Sequence, residues 1–166
     1  MSLLLPQEDR DIVYISLIYS IIALSIAYIA EIIGYKPCIL CLYQRIPYFC
    51  IMFLSILSLI LQKHTNLLRI LVILIGLGFV SEITLAFYHV LIEHHVIEET
   101  TKCAVMLNLA DDPNIALQQI MNTKSESCAE PEFIFLKLSM AEWNLLSSLA
   151  ITIIVFYHRI RNATRR

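Results

Sequence analysis

Residues 12–33 are almost unbroken apolar side chains, a run that at about 1.5 Å per helical residue crosses a hydrocarbon layer of about 30 Å. Three further apolar runs follow, at 43–61, 70–88 and 142–157. Lipid offers the backbone no hydrogen-bond partners, so each run must satisfy its own N–H and C=O groups and is expected as a helix. The expected fold is therefore an all-α membrane protein, a four-transmembrane-helix bundle forming one integral membrane domain over residues 1–166. A hydrophobic fraction of 58% and only three glycines fit that class and do not fit a soluble domain. The start, Met1 to Asp11, carries Glu8, Asp9 and Asp11 and lacks the small-residue pattern of a cleavage site, so it is expected to be retained. A formal charge of −2, with no basic block or interleaved aromatic patch, gives no expectation of nucleic-acid binding.

Where the charges lie is more informative than their sum. Lys63 and Arg69 sit in or beside the short connector between the second and third runs, and Arg159, Arg161, Arg165 and Arg166 crowd the tail. The positive-inside rule makes that side cytoplasmic, with both termini on it. The loops at about 34–42 and 89–141 then face the opposite side. The second of these is long and mostly polar. Within it Asp111-Asp112-Pro113 reads as a helix start, and Ala116, Leu117, Ile120 and Met121 share one apolar face, so a short amphipathic helix is expected there. Trp143 falls where an interfacial aromatic anchor belongs.

Of five cysteines, Cys38 and Cys41 form a CxxC at the meeting of the first two runs, Cys103 and Cys128 lie in the long loop, and Cys50 is inside an apolar run. The first four all face the side on which disulfides persist. Four thiolates can close a tetrahedral zinc site, but such sites pair two close-spaced motifs and here one pair alone is close, so no metal site is expected. Purely structural disulfides are the other reading. A Cys103 to Cys128 loop would contribute about 3.5 kcal/mol in the chain-entropy account, whereas a disulfide within CxxC constrains little chain. Redox exchange accounts for both pairs. Cys41 lies at a helix start with Arg45 one turn later, and both features should favour its thiolate. Arg45 alone reads equally well as a snorkelling interfacial cation. Glu31 and Glu82 lie in or near spans, where an ionisable group is a functional candidate; Glu82 is two turns before His89 on one helix face.

The run Cys38-Ile-Leu-Cys-Leu-Tyr-Gln-Arg45, the Tyr88-His89 pair, Cys103, and Cys128-Ala129 followed by Leu138, Met140 and Trp143 together resemble the DsbB family of bacterial disulfide bond formation proteins. The resemblance implies a four-helix enzyme of the bacterial inner membrane with its redox cysteines in the periplasm. It would reoxidise a periplasmic thioredoxin-fold DsbA-like oxidase and pass the electrons to a membrane quinone, ubiquinone or menaquinone. By the same likeness Cys103 takes the mixed disulfide with the partner, Cys128 resolves it, and Cys38 and Cys41 reoxidise the loop pair. Cys41, Arg45 and His89 would then line the quinone site. The chain is also similar to vitamin K epoxide reductases, but in those the loop cysteines precede the CxxC and here they follow it. A membrane scaffold whose disulfides merely brace an outer loop is the reading from another class. Such a scaffold would leave an added quinone unreduced.

Overall fold

The computed structural model describes residues 7–61, 65–98, 128–131 and 133–163. Helices α1 (Gln7–Ile33), α2 (Ile39–Ile60), α3 (Thr65–Glu93) and α4 (Met140–Ala163) make up almost all of it. All four are long and apolar enough to cross a membrane. Large apolar side chains face outward along each of them, among them Ile18, Phe53, Leu77 and Ile153, as expected where the surroundings are lipid. The interior is narrower. Ile12 and Val13 of α1, Ile51 of α2, and Leu68, Val72, Ile75 and Phe79 of α3 form one buried cluster, with Ile151 and Val155 of α4 against it. Gly78 lets α3 approach α2 closely, since a Cβ there would lie 2.7 Å from Ile51 Cγ1. Small residues at such crossings let backbones approach and gain van der Waals contact.

The helices begin and end differently from the apolar runs. α2 starts at Ile39 rather than 43, α3 continues past Tyr88 to Glu93, and α4 starts at Met140 rather than 142. Apolar runs mark the hydrocarbon layer, while helix ends are set by caps. Ser139 and Glu142 make the α4 cap reciprocally: Glu142 N–H donates to Ser139 Oγ (3.0 Å) and Ser139 N–H donates to Glu142 Oε2 (2.8 Å). At the end of α1, Gly34 has φ of 117°, its N–H donates to Glu31 O, and Tyr35 N–H donates to Ala30 O. That is the glycine-terminated stop in which a left-handed residue satisfies the last carbonyls.

Ahead of α4 the chain also forms a small hairpin that the helical reading did not include. Strand β1 (Ile134–Phe135) pairs antiparallel with β2 (Leu138–Ser139). Leu136 and Lys137 turn between them with φ of 53° and 68°, the left-handed pair that a two-residue hairpin demands. Trp143 Nε1–H donates to the Phe135 carbonyl (3.0 Å), tying the hairpin to α4. The amphipathic helix expected within 111–121, and Cys103, lie outside the described residues.

Candidate functional site

The CxxC is organised by the start of α2. Pro37 has no N–H and favours an extended residue before it, so the chain leaving Gly34 stays unwound until Cys38. Cys38 is the N-cap, with φ −67° and ψ 168°, and its sulfur accepts the Cys41 N–H (3.3 Å). This cap draws the helix start into the motif, so the connection is shorter than the turn expected through residue 42. The two sulfurs are 3.0 Å apart, and a small side-chain rotation closes them to the about 2.05 Å of a disulfide.

Cys128 is fully buried against Cys38, in a cluster with Leu40 and Ile92, and the two side chains hydrogen-bond. The structure thus brings together three of the four redox cysteines expected from the sequence. Cys50 points outward and takes no part.

The Cys38 thiol feels opposing influences. The Cys128 side chain favours its thiolate, but the hydrogen bond with Cys41 and burial disfavour it more, and its pKa is pushed up to about 12 from 9.0. At neutral pH the reduced Cys38 is therefore a neutral thiol, with about a thousandfold less thiolate than an ordinary cysteine. The greater nucleophilicity of a more basic sulfur recovers about thirtyfold. Reduced protein should accordingly show Cys38 alkylation about thirtyfold slower than a free cysteine at pH 8, rising tenfold per pH unit up to about pH 12. Mass spectrometry of time-quenched samples reads this directly.

The Arg45 guanidinium is engaged by side chains of α1. Its Nη1 donates to Glu31 Oε2 (2.8 Å), and the guanidinium lies 4.7 Å from the centre of the Tyr28 ring. Its Nε is buried with no acceptor among the described residues. A cavity of about 680 Å³ opens beside it between α1 and α4, lined by Cys38, Cys41, Arg45 and His89 and walled by apolar groups such as Ile26 and Phe133. Its volume lies in the range of small-molecule sites.

His89 meets this cluster from α3. Its Nε2 is 3.5 Å from Cys38 Sγ and 3.8 Å from Glu93 Oε1, and the ring hydrogen-bonds the Cys128 backbone. On its other edge Nδ1 is 3.3 Å from Gln44 Nε2. Gln44 continues to Asn144, and Asn144 to the fully buried Glu82. Of these, Gln44 and Asn144 were not singled out in the sequence. The available signal was their position as amides inside apolar runs, where a polar group needs a partner.

The profile of the family described as Disulfide bond formation protein DsbB matches residues 9–158. The chain belongs to the DsbB family. Among curated relatives, a disulfide bond formation protein B of Acinetobacter baumannii is 25% identical over 147 residues, 86% of this chain and 85% of that protein. One of Histophilus somni is 31% identical over 118 residues, 66% of this chain and 62% of that protein. An uncharacterized protein of Rickettsia prowazekii is 35% identical over 145 residues, covering 83% of both. Membership of the DsbB family makes this a membrane protein of disulfide bond formation. It also gives the outer pairings a setting: His94 Nε2 to Glu142 Oε1 (2.9 Å) and Ser139 Oγ–H to Glu93 Oε2 (2.5 Å) pin the end of α3 to the start of α4 beside the cysteines.

Proposed function

We propose that this DsbB-family protein is a quinone-reducing thiol-disulfide oxidoreductase of the bacterial inner membrane, which reoxidises a periplasmic thioredoxin-fold DsbA-like dithiol oxidase. The observation that carries the reading is the meeting of Cys38, Cys41 and Cys128 beside a cavity that Arg45 also lines. The charge asymmetry of the loops supports cytoplasmic termini and periplasmic redox cysteines.

The partner's thiolate attacks Cys103 of a Cys103–Cys128 disulfide, forming the mixed disulfide and releasing Cys128 as a thiolate. Cys128 attacks Cys38 of the Cys38–Cys41 disulfide, and Cys41 leaves with the electron pair. The partner's second thiol then breaks the mixed disulfide, leaving the partner oxidised and Cys103 reduced. Cys103 attacks Cys128 and Cys38 is expelled, so the loop disulfide is restored and both electrons rest on Cys38 and Cys41.

A quinone supplies a two-electron, two-proton acceptor for that dithiol. The residues fit such a group: the cavity walls are apolar, Cys41 lines it, and the buried Arg45 Nε has a hydrogen to donate to a carbonyl oxygen. Arg45 thereby orients an acceptor against Cys41. The neutral, buried Cys38 holds its proton until the disulfide closes.

The partner step is tested by Cys128→Ser, which leaves Cys103 with no loop cysteine to displace a bound partner. Mixed with a thioredoxin-fold oxidase whose second active-site cysteine is serine and whose first is carried as a mixed disulfide with thionitrobenzoate, this variant should expel the thionitrobenzoate and accumulate a reducible adduct of summed mass on non-reducing gels. The Cys103→Ser/Cys128→Ser double variant should give none. Equal capture by the double variant would place the partner elsewhere.

A further inference from the structure

The buried polar chain leading away from His89 is not used by the exchange steps above, and its hydrogen bonds have one consistent direction. At its inner end Glu82 Oε1 is an acceptor, 2.6 Å from Asn144 Nδ2. The amide of Asn144 must therefore turn its N–H groups to Glu82 and, at 3.2 Å, to Gln44 Oε1, while its Oδ1 accepts the Tyr48 hydroxyl at 2.6 Å. With its oxygen so engaged, Gln44 turns Nε2–H to His89 Nδ1 (3.3 Å). A ring nitrogen that faces a donor carries no hydrogen, so the neutral imidazole bears its proton on Nε2. The outer end is consistent: Nε2 faces the Cys38 sulfur and, more distantly, Glu93, and with Nδ1 engaged by Gln44 it is the nitrogen left to donate in the ring's hydrogen bond with the Cys128 backbone. Turning every group the other way would set the Asn144 oxygen against an ionised Glu82 and take from the Tyr48 hydroxyl its acceptor on Asn144. In so dry a place each such mismatch costs about 1–3 kcal/mol.

We propose that Glu82, Asn144 and Gln44 are positioning residues that lock His89 in its Nε2–H tautomer, so that the ring clamps the Cys128 backbone over the Cys38 sulfur. The N–H also faces the charge that develops when Cys38 is expelled. The same tautomer bears on metal binding: Cys38, Cys41 and His89 offer three donor atoms within 4.8 Å of one another, but a protonated Nε2 has no lone pair for a cation. The consequence for exchange rests on the function proposed above, whereas the tautomer itself does not.

The two are separated by experiment. In protein labelled with [15N]histidine and reconstituted in lipid, with the His89 signals assigned by their loss in His89→Gln, Nδ1 should resonate as an unprotonated and Nε2 as a protonated ring nitrogen. Asn144→Asp presents a carboxylate to Gln44, turns its amide round, and should invert the His89 tautomer through a residue that reaches the ring by way of Gln44 alone. Gln44→Glu should invert it directly and serves if the first variant does not fold. In either variant, stopped-flow exchange between the loop pair and Cys38 should slow about tenfold, the worth of one hydrogen bond of about 1.4 kcal/mol. An Nδ1–H tautomer in the unaltered protein, or a tautomer indifferent to both substitutions, overturns the proposal. Inverted tautomers in a protein that reduces no quinone would leave the lock standing and defeat the proposed function instead.

Discussion

Cys41→Ser should reduce quinone no faster than the protein-free reaction while still forming the mixed disulfide at Cys103. Two electrons leave the site when Cys38 and Cys41 close a disulfide, and their sulfurs stand 3.0 Å apart for that step. A serine oxygen cannot close it. Cys38 still has Cys128 against it, so in the absence of the partner its thiol can attack Cys128 of the loop disulfide and expel Cys103, giving a Cys38–Cys128 disulfide; the mixed disulfide forms from the molecules that keep the loop disulfide. Peptide mapping without reduction would identify that species. Sustained quinone turnover by this variant would remove Cys41 from the pathway.

The second large effect is expected at Arg45. Arg45→Met keeps much of the apolar stem and removes every donor, including the buried Nε that has no acceptor among the described residues. A hydrogen bond from a charged donor is worth about 1.5–3 kcal/mol, so the quinone KM should rise roughly 10- to 150-fold. Glu31 complicates the reading, because losing Arg45 leaves its carboxylate without this partner at 2.8 Å. The Glu31→Gln/Arg45→Met double variant separates the two effects: its KM should match that of Arg45→Met if the lost donor is the cause. Recovery to the unaltered value would trace the loss to the stranded carboxylate. Glu31→Gln alone should leave KM within about fivefold, since a half-exposed ion pair is worth about 1 kcal/mol or less.

The four helices were legible because hydrocarbon demands long apolar runs, and the CxxC and Arg45 because their spacing on one helix start is local. Helix ends were less so. Ser139-Met-Ala-Glu142 is a capping box that could be read directly and would have placed the start of α4 at Met140. The extension of α3 to Glu93 carries polar groups out of the apolar run, where hydropathy gives no signal and the partners come from residues 139 and 142. The hairpin was hidden for another reason: its turn residues are Leu136 and Lys137, without the Asn or Gly that announces a left-handed pair. Glu82 stood out as a charge in a span, and its place on the His89 face was visible. Its connection was not, since it runs through Asn144 and Gln44, 62 and 45 residues away from the groups they contact on α3. Such links depend on how helices rotate against one another, which periodicity alone leaves open.

The central claim is that electrons pass from a protein dithiol through this chain to a quinone, and an electron balance tests it most directly. Purified protein in lipid nanodiscs would be mixed with a reduced thioredoxin-fold oxidase and ubiquinone, with oxidised partner and quinol counted in the same quenched samples. One quinol should appear for each partner dithiol lost; with Cys41→Ser no quinol should form above the protein-free rate, and partner oxidation should stop at one equivalent. Partner oxidation without matching quinol, or quinol formation that continues without the partner, would contradict the account.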